Sequence, residues 1–261
     1  MATHLAAWQQ SIDSATLAAI TNVVDDVLTR TSTTRYLVPR DFSFVRWAAA
    51  LGANLTRAQI IAPSLQVRRM NPEVAPRRRG AETFSLTNPE IYLPARPLAL
   101  VAGEEIEFDI AEDAAGASQN DGFVALGPAV LPPMPDGDIR IVRATGTTTL
   151  TARAWTSVVL TLDSSLEAGN YALVGFIAMG ATAVAARVII TGQQNRPGLP
   201  AFPGAESAAV DFEASLLNQL MYYNMGSFTH ITVPAIQFFA TAADTAQTVY
   251  LYVIRTGAIA G

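Results

Sequence analysis

Two histidines, His4 and His230, are the only imidazoles in the 261 residues. A Ser-His-Asp triad would have to use His230, which sits in SFTHITVP. Ser227 lies three residues before it on the same alternating stretch, too close to serve as nucleophile in the usual geometry. No HExxH or paired-histidine spacing exists for zinc. Cysteine is absent, which excludes thiolate metal sites, cysteine nucleophiles and disulfides. Lysine is absent as well, and all 17 basic residues are arginine. That removes Schiff-base chemistry and the lysine of a phosphate-binding P-loop. No catalytic constellation remains, so the chain reads as a non-enzyme that needs no cofactor.

The charged residues fall into two kinds of cluster. Glu104, Glu105, Glu107 and Asp109, then Glu112 and Asp113, then Asp136 and Asp138 supply carboxylates. None matches a twelve-residue calcium loop. Glu105, Glu107 and Asp109 alternate with Ile106, Phe108 and Ile110, which reads as the wet face of one strand. Calcium at a subunit boundary stays as the alternative. Arg68, Arg69, Arg77, Arg78 and Arg79 form the strongest local charge feature. They suit carboxylates of a neighbouring subunit, held bidentately, or else a solvated loop. Aromatic residues are not interleaved with them and the net charge is −5, so nucleic-acid contact is disfavoured. Asn54-Leu55-Thr56 fits a glycosylation sequon, but no secretory leader accompanies it.

Only 15% of the residues are charged while 50% are hydrophobic, and mean hydropathy is +0.27. Usual soluble domains carry about 25% charged residues. Much apolar surface must therefore be covered, by a membrane or by other chains. The N-terminus lacks a basic stretch followed by an apolar one, so the mature chain is expected to begin there. The 19 uncharged residues from Ala168 to Ala186 approach the length of a membrane span, but glycines and Asn170 interrupt them. They read instead as two strands around a Gly-Ala-Thr turn.

Residues 5–29 place Leu17, Ile20, Val23, Val24, Val27 and Leu28 at helical spacing, which predicts a short N-terminal helix. Beyond residue 34 come short runs of Val, Ile, Thr, Phe and Tyr separated by Pro, Gly, Asn and Asp. Phe42 to Ala50, Arg57 to Ala62, Glu105 to Ile110, Tyr171 to Met179, Ala183 to Thr191, Ile236 to Ala240 and Thr248 to Arg255 are among the predicted strands. With no helices alternating among them, the pattern is all-β.

The β region repeats itself. An ungapped shift of 129 residues lays LVPRDFSFVRWAAALGANLTRAQII over LEAGNYALVGFIAMGATAVAARVII, so that Leu37 meets Leu166, Val45 meets Val174, Ala49 meets Ala178, and Ile60-Ile61 meet Ile189-Ile190. Ile106 and Phe108 lie over Ile236 and Phe238 at a shift of 130. The Phe84 strand lies over the Phe212 strand at 128. These matches imply two tandem β-units joined by GPAVLPPMPDGD, with coincidence among alanine-rich strands as the alternative.

Two eight-stranded units in tandem are what jelly rolls require. The LxxxDFxFV and LxxGNYxLV strands and the Leu-Pro-Pro-Met-Pro linker resemble the double jelly-roll major capsid proteins of the adenovirus and lipid-containing bacteriophage lineage. The resemblance implies a helical segment at 1–30, a first jelly roll at 31–130 and a second at 131–261. It implies a structural virion protein that self-assembles, as pseudo-hexameric trimers, into an icosahedral shell over an internal membrane. Partners would be the chain itself, minor capsid and penton proteins, and that membrane; assembly would occur in the host cytoplasm. The N-terminal segment with His4, Leu5, Trp8, Ile12 and Leu17 is then expected to face inward or to strap a neighbour. The competing reading is a receptor- or carbohydrate-binding sandwich of a phage fibre, with Tyr222, Tyr223 and Phe228 as an exposed aromatic platform.

Overall fold

A computed structural model describes residues 3–12, 14–68, 72–74, 96–113, 118–202 and 222–257. The chain divides into two compact units: among the described residues, one runs from His4 to Ala129 and the other from Val130 onward, with Thr3 belonging to the second.

The first unit contains β1 (His4–Ile12), β2 (Ala18–Ala19), β3 (Arg35–Leu37), β4 (Phe44–Gly52), β5 (Leu55–Ile61), the short helix α1 (Pro63–Val67), β6 (Leu98–Ala99), β7 (Glu105–Glu112) and β8 (Ser118–Gly127). One sheet runs β1-β8-β4-β6. In the other, β7 has β5 along one edge, and β2 and β3 end to end along the opposite edge. Register shows this, because Ile110 pairs with both Ala18 and Ala58, and Glu107 with both Arg35 and Ile61. Residues 72–74 complete that sheet by bonding to β5, with Val74 N–H donating to Ala58 at 2.9 Å. The wet-face reading of β7 holds: Ile106, Phe108 and Ile110 enter the core while Glu105, Glu107 and Asp109 stay partly exposed.

The second unit contains β9 (Ile139–Gly146), β10 (Trp155–Val158), β11 (Thr161–Leu162), β12 (Asn170–Gly180), β13 (Ala183–Ile189), β14 (Gly198–Pro200), β15 (Gly226–Thr229), β16 (Ala235–Ala240) and β17 (Gln247–Gly257). Its sheets run β11-β9-β17-β12-β15 and β10-β16-β13-β14. The uncharged run from Ala168 thus splits into β12 and β13, as its glycines predicted. Phe176, Leu251 and Phe238 come from the two sheets into one core. Among the described residues, no helix is long and apolar enough to cross a membrane.

Strand for strand, the two sandwiches share one connectivity. β1-β8-β4-β6 repeats as β9-β17-β12-β15, and β2/β3-β7-β5 with residues 72–74 repeats as β10-β16-β13-β14. This is the jelly-roll order of two packed antiparallel sheets, present twice. Bulges refine the register. Arg46 is the extra residue of β4 and Val174 that of β12, 128 positions apart. Thr56 and Val184, the extra residues of β5 and β13, are also 128 apart. The shift of 129 is therefore one too many through these strands: Val45, which faces the core, corresponds to Leu173 and not to Val174. A one-residue slip exchanges the two faces of a strand, and alanine-rich sequence on both faces hides the slip.

The N-terminal helix is overturned. Residues 4–12 form β1, paired along its full length with β8. Ala6 and Trp8 enter the core at a period of two. Residues 14–34 run mainly extended beside the sheets: Ile20 N–H donates to Phe108 at 2.9 Å and Val24 N–H to Ala7 at 3.0 Å. Ile20, Val23 and Leu28 are buried, but from a strap. Their spacing imitated a helix because a strap touches the core at intervals too.

Candidate assembly surfaces

Arg68 follows α1, whose N-terminus lacks a side-chain cap of its own. Glu104 supplies one from the chain before β7: its Oε2 accepts from Ser64 N–H at 2.8 Å and its Oε1 from Ser64 Oγ at 2.6 Å. The same Oε1 accepts from Val101 N–H at 2.6 Å. A carboxylate at the start of a helix satisfies orphan donors and suits the local dipole. Arg68 closes the other end, donating from Nε to Ser64 O at 2.9 Å and from Nη2 to Ala99 O. Between them lies a cavity of about 560 Å3 with Pro63, Val67, Ala99 and Val101 on its walls. Val67 and Val101 are both exposed.

Of the arginines predicted as subunit contacts, only Arg68 is among the described residues; Arg69, Arg77, Arg78 and Arg79 lie outside them. Arg68 is exposed, with its guanidinium engaged in its own unit.

The carboxylates of β7 form a second polar surface. Arg35 on β3 donates from Nε to Glu107 at 2.8 Å and from Nη1 to Glu105 at 3.0 Å. These hydrogen bonds, Glu107's first, push the guanidinium above its ordinary range. A hydrogen bond from Thr31, then that from Arg35, holds Glu105 below the usual carboxylate range. Asp109 goes the other way: burial, then the charge of Glu107, pushes it up to about 6. A cavity of about 270 Å3 adjoins these groups, with Gln66, Ala62 and Ile61 also on its wall. Among the described residues, no group of three His, Asp or Glu side chains is placed to hold a metal ion.

Of the N-terminal residues, Trp8 is not free to meet a neighbour. Trp8 is fully buried, its Nε1 donating to Thr34 O at 2.9 Å and its ring 4.9 Å from Tyr36. The expectation of a contact there is corrected, because edge-strand pairing turns Trp8 inward. His4 and Leu5 are fully buried too. Leu17 is half-buried, and Ile12 closes β1.

The aromatic platform is absent at the residues proposed for it. Tyr223 and Phe228 are buried. Tyr223 Oη bonds Thr3 Oγ1 at 2.7 Å, Phe228 stacks on Tyr171 at 5.8 Å, and half-buried Tyr222 leans on Tyr252 at 5.9 Å. His230 Nδ1 accepts from Gly169 N–H at 3.4 Å. Exposed apolar side chains lie elsewhere in the second unit, at Val130, Met134, Ile139, Ile141, Val159 and Ile231. Sequence reasoning missed Ile139 and Ile141, since an apolar residue in a strand reads as core until its neighbours are known.

No protein-family model matches the sequence, and no curated protein matches it. Among solved structures, the chain is similar to the major capsid protein P2 from bacteriophage PM2, at 11% identity over 97% of each chain with a TM-score of 0.25.

Proposed function

We propose that the chain is a structural virion protein, a coat subunit that works by shape and self-association. The observation that carries this reading is the repetition of one jelly-roll connectivity twice along one chain. A chain with two similar sandwiches presents nearly the same lateral surface twice, so three copies give a ring of six similar blocks that can tile a shell. Its composition, 15% charged and 50% hydrophobic, suits a molecule that covers much of its side surface with copies of itself.

The finer reading follows the capsid resemblance. Three chains form a pseudo-hexameric tile, tiles form an icosahedral shell, and minor capsid and penton proteins complete it over an internal membrane in the host cytoplasm. Arg68 with Arg69, Arg77, Arg78 and Arg79 belongs to the contacts between subunits, as does Leu17. The fibre or glycan-binding reading loses its main support with Tyr223 and Phe228 buried.

Multi-angle light scattering and negative-stain imaging of the native protein test the proposal. The expected result is a particle of three chain masses, or shells built from it. A chain that stays single at every concentration overturns it.

A further inference from the structure

Aspartate followed by glycine occurs twice in the chain, at Asp121-Gly122 and at Asp136-Gly137. Glycine after aspartate leaves the backbone nitrogen unshielded by a side chain, so the pair closes a cyclic imide whenever that nitrogen can reach the carboxyl carbon. The fold treats the two pairs in opposite ways. Asp121 is 1% exposed, and Gly122 sits in the ladder of β8, opposite Trp8 of β1 on one side and Ala50 of β4 on the other. Its nitrogen moves only when β8 opens.

Asp136 and Gly137 are both exposed, in a bend. Before them Asn224 N–H donates to Pro132 O at 3.1 Å, and after them Ile139 begins β9 opposite Ile254. Between these anchors, among the described residues, no hydrogen bond reaches the Asp136 carboxylate or the Gly137 N–H. Gly137 stands at φ 134°, and a β-carbon there would come within 2.8 Å of Ile254 Cγ2. The position therefore demands glycine, and with it a bare backbone nitrogen beside a carboxylate that nothing holds.

We propose that Asp136 is a site of spontaneous covalent modification, isomerising to isoaspartate through an imide with Gly137, while Asp121 is protected. The Gly137 nitrogen bonds to Asp136 Cγ, and the carboxyl hydroxyl leaves as water with the N–H proton. Water then opens the imide at either carbonyl. Opening at Cγ restores aspartate. Opening at the main-chain carbonyl carbon routes the backbone through Cβ and Cγ and leaves the carboxylate on Cα. A water leaves and a water returns, and nothing is oxidised. The product carries an extra methylene in the backbone just before β9. Sequence alone does not separate the two pairs; the ladder of β8 does.

The full chain, aged at neutral pH either folded or in urea, tests the proposal, with circular dichroism confirming each state. Cleavage after arginine leaves both pairs on one peptide. Electron-transfer fragmentation, which breaks the Cα–Cβ bond of an isoaspartyl residue, locates the product on it. In the folded sample isoaspartate is expected to accumulate at Asp136 at least about tenfold faster than at Asp121, because Gly122 reacts only from an opened strand. In urea, where no ladder holds Gly122, the two positions are expected to react at similar rates. Equal rates in the folded sample overturn the proposal, and so does a folded sample in which Asp136 stays intact. A preference for Asp136 that persists undiminished in urea overturns the role given to the fold.

Discussion

His4 Nε2 lies 3.0 Å from Asp25 Oδ2, with both side chains fully buried. Asp25 Oδ1 accepts from Val27 N–H at 2.7 Å and Leu28 N–H at 3.1 Å. One carboxylate thus folds the strap back on itself and fastens it to β1. Asp25→Ala takes a hydrogen-bond partner from the imidazole and opens the turn together. The expected loss is about 3 kcal/mol, the scale for removing one partner of a buried polar pair. Asp25→Asn keeps an oxygen for the turn and is expected to cost less than half as much. Urea denaturation followed by fluorescence checks the order; equal losses would show that the pair, and not the turn, carries the stability.

Asp109 makes stability depend on pH. Its carboxyl is raised from 3.8 to about 6, by burial first and by Glu107 second, with Arg35 opposing. Between these values the folded chain binds more protons than the unfolded one, so stability falls as pH rises through that window. Asp109→Asn removes the ionisation while keeping the shape. At pH 8 the variant is expected to be more stable by about 1 kcal/mol, discounted because the group is partly exposed. At pH 3.5 the two proteins are expected to melt together. A constant difference at both pH values would assign the effect to packing.

Gly122 lets two aromatic side chains share the first core. A β-carbon there would approach the Phe108 ring to 2.7 Å, and Trp8, the cross-strand partner of Gly122, already lies 5.8 Å from that ring. Gly122→Val is expected to cost about 1–3 kcal/mol by overpacking. Combined with Phe108→Leu, which makes room, the loss should be less than the sum of the single losses. Additive losses in a thermal-melt cycle would place the strain elsewhere.

The strands were legible where alternation was clean. Glu105 to Ile110 read correctly because a wet face and a dry face differ at every step. Ala168 to Ala186 read as two strands because the glycines broke it. β1 was not legible: its partner β8 lies more than a hundred residues downstream, and Ala6, Ala7 and Trp8 carry no polar face to mark a period. The pairing of His4 with Asp25 was equally hidden, since nothing in the spacing of 21 residues says that a strap returns there. The exposure of Ile139 and Ile141 was missed for a related reason. Ile139 and Ile141 are ordinary strand residues by type, and only the tertiary structure shows that they stay uncovered.

The sequence by itself determined the all-β class, the doubled unit, the absence of thiol and lysine chemistry, and the excess of apolar surface. These are properties of composition and of short-range pattern, which every segment carries with it. Tertiary structure alone decided the register of the repeat, the conversion of the N-terminal segment into a strand, the burial of Trp8, Tyr223 and Phe228, and the exposure of Ile139 and Ile141. Each depends on which distant strand lies alongside, and hydrogen-bond pairing between strands is a long-range choice that local residue types do not encode.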